Sequence, residues 1–441
     1  MEHKKGFKHT TFGWVPEEWK IKRFGDFAEF KNGLNYSKDE EGKGLKIIGV
    51  GDFKDNFEIQ YDSLQEISKI NGVPESYLLR DGDILFVRSN GNKALIGRAI
   101  FIDNVSESIT HSGFTIRARI VDKSILPVFA ALLFKTGSVK QQIQTQGGGT
   151  NISNLSQDLL HNLEFPLPPL PEQRAIAAIL RACDDTIEKT QALLAALRRR
   201  HTGLLQALLT GKKRVKGFER EKWDRVRLGE VFEFLKTESL SRECLTSEKS
   251  KDKIQSIHYG DIHTIFKGSY LDLETENRLP FVKDDFLPGG KLTFLEDGDL
   301  IMADASEDYE GLCECFELKN IGDKKVVAGL HTFALRENQS LFALGFRTHI
   351  FKNFEVSVAI KKNATGTSVY GISKSNLSKI EIPLPSLPEQ RAITAILQSS
   401  EAEIRGYEQQ LALLQRQKKG LMQVLLTGRV RVKNPGEKKL A

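Results

Sequence analysis

The chain has 441 residues, of which 40% are hydrophobic and 28% charged, and a formal net charge of +6. That composition excludes a disordered or fibrous chain, and the length exceeds one ordinary core, so two to four globular domains are expected at roughly 100–200 residues each. Four irregularly spaced cysteines exclude a disulfide framework and a CxxC zinc site, Cys313-x-Cys315 being read as structural, and with no signal segment or membrane-length apolar run a reducing cytoplasm is expected.

The first predicted domain covers residues 1–165. Short runs rich in β-branched and aromatic residues alternate with turn signals, as where Asp81-Gly82 precedes Ile84-Leu85-Phe86-Val87, which predicts a mixed α/β (α+β) domain of strands with exposed loops. Three loops carry the candidate DNA-contacting residues: Lys31, Asn32, Asn35 and Tyr36; Arg88, Ser89, Asn90, Asn92 and Lys93; Gln146, Thr150 and Asn151. Arg, Asn and Gln make paired hydrogen bonds to base edges, while Lys, Thr and backbone N–H groups suit phosphates. Asn and Gly are also ordinary turn formers, so each loop alone decides little.

A fixed helical segment is predicted over 166–212. Pro166, Pro168, Pro169 and Pro171 lock an extended approach, Pro171 suits a first helical turn, and Glu172 meets the helix dipole favourably. From Ile176 the apolar positions step by four and three through Leu180, Cys183, Ile187, Thr190, Leu194, Leu197, His201, Leu204 and Leu208, a heptad seam. His201 interrupts it, and a register-fixing polar residue outweighs an acid–base group there. Gly203 predicts a close approach or a break, and Gly211 a C-terminal stop. Arg198-Arg199-Arg200 with Lys212, Lys213, Arg214 and Lys216 is either a solvated helix face or a phosphate contact.

A second domain over 213–382 and a second helical segment with a basic tail over 383–441 repeat this order. Residues 164–180 and 381–397 are identical at 14 of 17 positions at an offset of 217, and LLQALLTG from Leu204 returns as LMQVLLTG from Leu421 at that same offset. The length between these blocks is therefore held while the residues inside vary. The second seam runs through Ile393, Leu397, Ser400, Ile404, Tyr407, Leu411, Leu414, Lys418, Leu421 and Leu425. Two such seams in one chain are expected to pair as long antiparallel helices, rods of roughly 60 Å each, with a pseudo-twofold relation between the preceding domains. Elsewhere the offset drifts, from 204 at Trp19/Trp223 to 209 at Gly51-Asp52/Gly260-Asp261 and 216 at Asp81-Gly82-Asp83/Asp297-Gly298-Asp299. The shared Asp-Gly-Asp turn aligns Arg88 with Asp304, an arginine suited to guanine against a carboxylate suited to a cytosine amino group, unless either is a structural ion pair. Ser306, Thr365 and Thr367 complete the second domain's candidates.

No phosphate loop, HExxH or amino-methyltransferase Asn/Asp-Pro-Pro-Tyr/Phe motif is present. The PLPxLPEQRAI segments at 166–176 and 383–393, the LLTG ends at 208–211 and 425–428, and the approaches through Trp19 and Trp223 instead resemble the specificity subunits of type I restriction–modification systems, over essentially the whole chain. The resemblance implies two target-recognition domains, each reading one half of a split site on double-stranded DNA, with the helices setting the gap. Glu172, Gln173, Arg174, Leu194 and Leu197, and Glu389, Gln390, Arg391, Leu411 and Leu414, then belong to the spacer and subunit-docking helices. It further implies that two separate methyltransferase subunits carry S-adenosylmethionine, that a motor-nuclease subunit joins for cleavage, and that this chain holds no cofactor, no metal and no catalytic residue. The alternatives are an unrecognised DNA-modifying enzyme and a helical protein-interaction scaffold.

Overall fold

The structure is a computed structural model that describes residues 5–36, 41–53, 59, 61–68, 73–92, 95–146, 154–248, 252–266, 268–287, 289–309 and 311–432. The chain forms two compact units, one made of residues 1–191 with 410–441, the other of residues 192–409. Each unit thus combines one mixed domain with the start of one long helix and the end of the other.

The long helices are Leu170–Leu209 and Leu387–Leu425. Between residues 181 and 202 only Cys183, Asp184, Ile187, Thr190, Leu194, Leu197 and His201 are buried or half-buried, and between 399 and 420 only Ser400, Glu401, Ile404, Tyr407, Leu411, Leu414 and Lys418 are. That is the heptad seam, with one acidic neighbour on each helix. The helices pair antiparallel within each unit: Lys418 bonds Asp184 in the first, while Arg198 bonds Glu408 and Arg200 bonds Glu403 in the second. His201 Nδ1 lies 3.2 Å from Ser400 Oγ, a polar seam contact of the register-fixing kind.

Gly203 and Gly420 depart from expectation. Both helices run through them, and a Cβ at either would meet nothing within 4 Å. They mark neither a close approach nor a break, and nothing in the structure explains them. Gly211 and Gly428 do end the helices, at φ +70° and +68°, where a side chain would be strained.

In the first unit an antiparallel four-stranded sheet runs in the order Ala28–Asn32, Thr115–Ile120, Ile84–Val87, Ala99–Phe101. A mixed three-stranded sheet holds Gln65–Ile67, Glu41–Ile48 and Ile109–His111, the last two parallel. The core centres on Phe24, whose ring lies 4.9–6.0 Å from those of Phe27, Phe30, Phe86, Phe134 and Phe165. Ile176, Leu180, Leu425 and Leu426 of the long-helix ends pack into the same core.

The second unit repeats this plan with one strand more in each sheet. Phe232–Phe234, Thr332–Glu337, Leu300–Ala303, Cys315–Lys319 and Tyr270–Asp272 form one sheet, and Leu245–Thr246, Phe281–Val282, Ile254–Ile257 and Lys325–Ala328 the other. Cys313 and Cys315 are buried free thiols, and burial pushes Cys313 up to about 12. No helix among the described residues is long and apolar enough to cross a membrane.

Candidate nucleic-acid interface

The Asp-Gly-Asp turns show why a sequence match survives here. Gly82 and Gly298 adopt φ +88° and +89°, which only glycine takes without strain. Asp83 accepts both Arg119 Nε and Nη2 at 2.7 Å, and Asp299 accepts the same atoms of Arg336 at 2.8 and 2.7 Å. Each turn thereby fixes the strand that follows, and the strand delivers Arg88 in one unit and Asp304 in the other just past its last residue.

Three chain segments meet at that point in the first unit. Ser112 N donates to Ile48 O at 2.9 Å, Arg88 N to Phe114 O at 2.8 Å, and Thr115 Oγ1 to Ser112 O at 2.7 Å. The segments enclose an open cleft of about 660 Å³ lined by Tyr36, Gly49–Asp52, Ser63, Gln65, Ser89–Gly91, Ser112 and Phe114. Its one formally charged side chain among the described residues, Asp52, accepts from Gly49 N at 2.8 Å. Beneath it His111 is buried and held near 2.9 Å from Thr115 Oγ1; burial, then Arg117, lowers it to about 3, so it is neutral.

The second unit repeats the bonds and changes the side chains. Gly329 N donates to Ile257 O at 2.9 Å, Asp304 N to His331 O at 3.3 Å, and Thr332 Oγ1 to Gly329 O at 2.7 Å. Where the first unit leaves an open cleft, the His331 ring stands edge-on to Tyr259 at 5.4 Å and its Nδ1 lies 3.5 Å from Asp304 Oδ1. Burial raises the Asp304 carboxyl above its usual range, partly offset by His331. Tyr309 stacks on Tyr370 at 3.9 Å beside Ser306, whose strand pairs with Tyr370–Gly371.

The sequence candidates divide accordingly. Tyr36, Ser89 and Asn90 line the first cleft, and Arg88 stands behind it with Nη1 donating to Gly113 O at 3.3 Å. Asn35 and Asn92 are exposed. Lys31 is occupied, donating to Ser76 Oγ at 2.6 Å and lying over the Tyr77 ring, and Asn32 accepts from Gln157 at 2.9 Å. Lys93, Thr150, Asn151 and the Gln146 side chain lie outside the described residues. Thr365 and Thr367 are exposed, Thr365 pairing through its backbone with Gly371. Sequence reasoning missed the 112–114 and 329–331 turns. Their signal was present in Thr115-x3-Arg119 and Thr332-x3-Arg336, again 217 apart.

The helix-start residues have well-defined partners. Glu172 accepts from Trp19 Nε1 at 3.0 Å and from Arg431 Nε at 2.7 Å; Glu389 accepts from Trp223 Nε1 at 2.7 Å and Arg214 Nε at 2.8 Å. Gln173 caps Leu126 N and donates to Ser124 O and Pro168 O, while Gln390 caps Ala343 N and donates to Leu341 O and Pro385 O. All four side chains are buried, so they bind helix to domain within their own unit. Arg174 and Arg391, which follow them directly in the motif, face solvent. Arg214, part of the basic run, is committed to Glu389, and Arg198 and Arg200 to the facing helix.

A family model described as "Type I restriction modification DNA specificity domain" matches residues 16–199 and again 220–416. The type I restriction enzyme MjaVIII specificity subunit of Methanocaldococcus jannaschii is 27% identical over 438 residues, covering 95% of both chains. The EcoKI specificity subunit of Escherichia coli strain K12 is 25% identical over 397 residues, 86% of this chain and 82% of that one. Among solved structures, the HsdS subunit of Thermoanaerobacter tengcongensis superposes with a TM-score of 0.51 at 17% identity, over 94% of this chain and 98% of that one. A chain from a study of type I R-M complex assembly and conformational transition gives 0.60 at 18% identity, over 94% and 99%.

Proposed function

The chain belongs to the type I restriction-modification DNA specificity family, and from that membership we propose that each of its units reads one half of a bipartite, asymmetric site on double-stranded DNA. It is a specificity subunit that assembles with methyltransferase and restriction subunits. The observation that carries the two-half reading is the repeated main-chain frame: the same bonds bring the same three segments together in both units, while Arg88 and Phe114 in one become Asp304 and His331 in the other. Main-chain bonds constrain position and leave side-chain identity free, so two equivalent surfaces present different donor and acceptor patterns to base edges.

Catalysis belongs to the partner subunits on this reading, with S-adenosylmethionine held there and no cofactor held by this chain, which works in the cytoplasm beside the DNA. The decisive experiment is methylome sequencing of a host carrying this chain and its methyltransferase subunits. A motif of two unlike half-sites separated by a fixed run of unread bases is expected. A continuous or palindromic motif would overturn the proposal. Turnover or S-adenosylmethionine binding by the purified chain, abolished by one substitution in it, would overturn the non-catalytic assignment.

A further inference from the structure

Among the described residues of the first unit Phe114 is the most exposed large apolar side chain, at 63% of its full accessible surface, and it stands on the rim of a cleft lined otherwise by Val50, Tyr36 and small or polar residues. An isolated exposed phenylalanine on an arbitrary surface needs no explanation. This one is held in place by its backbone: its carbonyl accepts from Arg88 N at 2.8 Å and from Ser89 N at 3.4 Å, tying it to the strand end that presents Arg88.

Among the described residues the cleft suits base edges better than phosphates. No cation among them lines it, and the one carboxylate among them, Asp52, would repel a phosphate. A phenyl ring has no hydrogen-bonding group, so it cannot follow the donor and acceptor pattern of a base pair. The one apolar feature that a base pair shows in the major groove is the thymine 5-methyl group. We propose that Phe114 is a specificity-determining residue that recognises the 5-methyl group of one thymine in the half-site read by the first unit. At the matched position His331 carries a polar ring beside Asp304, so the methyl dependence is confined to one half of the site.

The inference rests on the bipartite reading above, and the test separates the two. The complete complex with methyltransferase subunits is titrated with duplexes carrying the mapped motif, each thymine of the motif being replaced in turn by deoxyuridine, which lacks only the methyl group. For the parent, one replacement is expected to weaken binding roughly fourfold, the equilibrium equivalent of burying one methyl group. In Phe114→Ala that same replacement should cost nothing further, whereas Phe114→Leu, which keeps an apolar contact, should retain part of the dependence. Because the side chain is exposed, Phe114→Ala is expected to fold and assemble as the parent does. If the bipartite duplex is bound specifically yet no deoxyuridine replacement distinguishes parent from Phe114→Ala, or if the motif contains no thymine, the assignment of Phe114 is wrong and the bipartite reading stands. If the complex shows no preference for the bipartite duplex over scrambled DNA, both fall.

Discussion

Replacing Glu389 by glutamine removes one charge from the more enclosed of the two ion pairs at the long-helix starts and changes almost nothing in shape. Glu389 is fully buried and accepts three hydrogen bonds, from Trp223 Nε1 at 2.7 Å and from Arg214 Nε and Nη2 at 2.8 and 2.7 Å. The Arg214 side chain is 17% exposed and its remaining contacts are the Glu221 carbonyl and the Trp223 ring face. Removing one partner of a buried pair costs about 3–5 kcal/mol, and the partial exposure of Arg214 places Glu389→Gln near the lower end, about 3 kcal/mol. The matched Glu172→Gln is expected to cost less, about 1–2 kcal/mol, because Arg431 is 37% exposed and keeps Glu18 as a second acceptor at 2.9 Å. Urea unfolding followed by tryptophan fluorescence reads both, since Trp223 reports one pair and Trp19 the other. Equal losses in the two variants, or a loss below about 0.5 kcal/mol for Glu389→Gln, would refute this account of why the Glu-Gln pair recurs in both helix starts.

The seam predicts a second asymmetry: Leu194 is buried and Leu411 half-buried, so Leu194→Asp should cost several kcal/mol and Leu411→Asp distinctly less, measured by the same unfolding assay. Burial lowers His349 from its ordinary 6.5 to about 3, and neither ring nitrogen has a partner among the described residues. The folded protein therefore refuses a proton that the unfolded chain accepts, so the stability from this group is full above pH 6.5 and falls as pH drops toward 3, at up to about 1.4 kcal/mol per pH unit. His349→Leu should flatten the urea midpoint between pH 6.5 and 4.5 relative to the parent, and an unchanged slope would show that His349 titrates normally. Four residues inserted between Leu180 and Leu204, matched by four between Leu397 and Leu421, add about 6 Å to each helix and should widen the unread gap in the methylated motif by about one to two base pairs. Altered half-site bases in that variant would mean that the helices themselves take part in reading.

What was legible in the sequence follows from how each feature is encoded. The long helices were legible almost residue by residue, because a heptad is a periodic signal and its seam positions are the ones that escape solvent. The Asp-Gly-Asp turns were legible because they need a left-handed glycine and a carboxylate for one arginine, requirements that few residues meet. The roles of Glu172 and Glu389 were half legible: a helix-dipole position was seen, but not Arg431 or Arg214, since each arginine lies beyond the end of the opposite long helix. Gly203 and Gly420 misled, because a cost repeated at one offset suggested a structural demand that the helices do not show. Lys31 and Asn32 looked like loop contacts, yet they sit in the strand Ala28–Asn32 with intramolecular partners.

The turns carrying Phe114 and His331 escaped notice for a reason that bears on how the protein works. Their geometry is set by backbone donors and acceptors, which every residue but proline supplies, so nothing in the side chains at 114 or 331 has to match. The residues that do match, Thr115 with Thr332 and Arg119 with Arg336, hold the frame from beside it. A site built in this way changes what it contacts without altering the bonds that position it, because the side chain at the rim takes no part in those bonds while the flanking threonine and arginine do. On the proposed reading, the least repeated positions of a repeated scaffold are the ones placed to discriminate, and a search for matched residues alone passes over them.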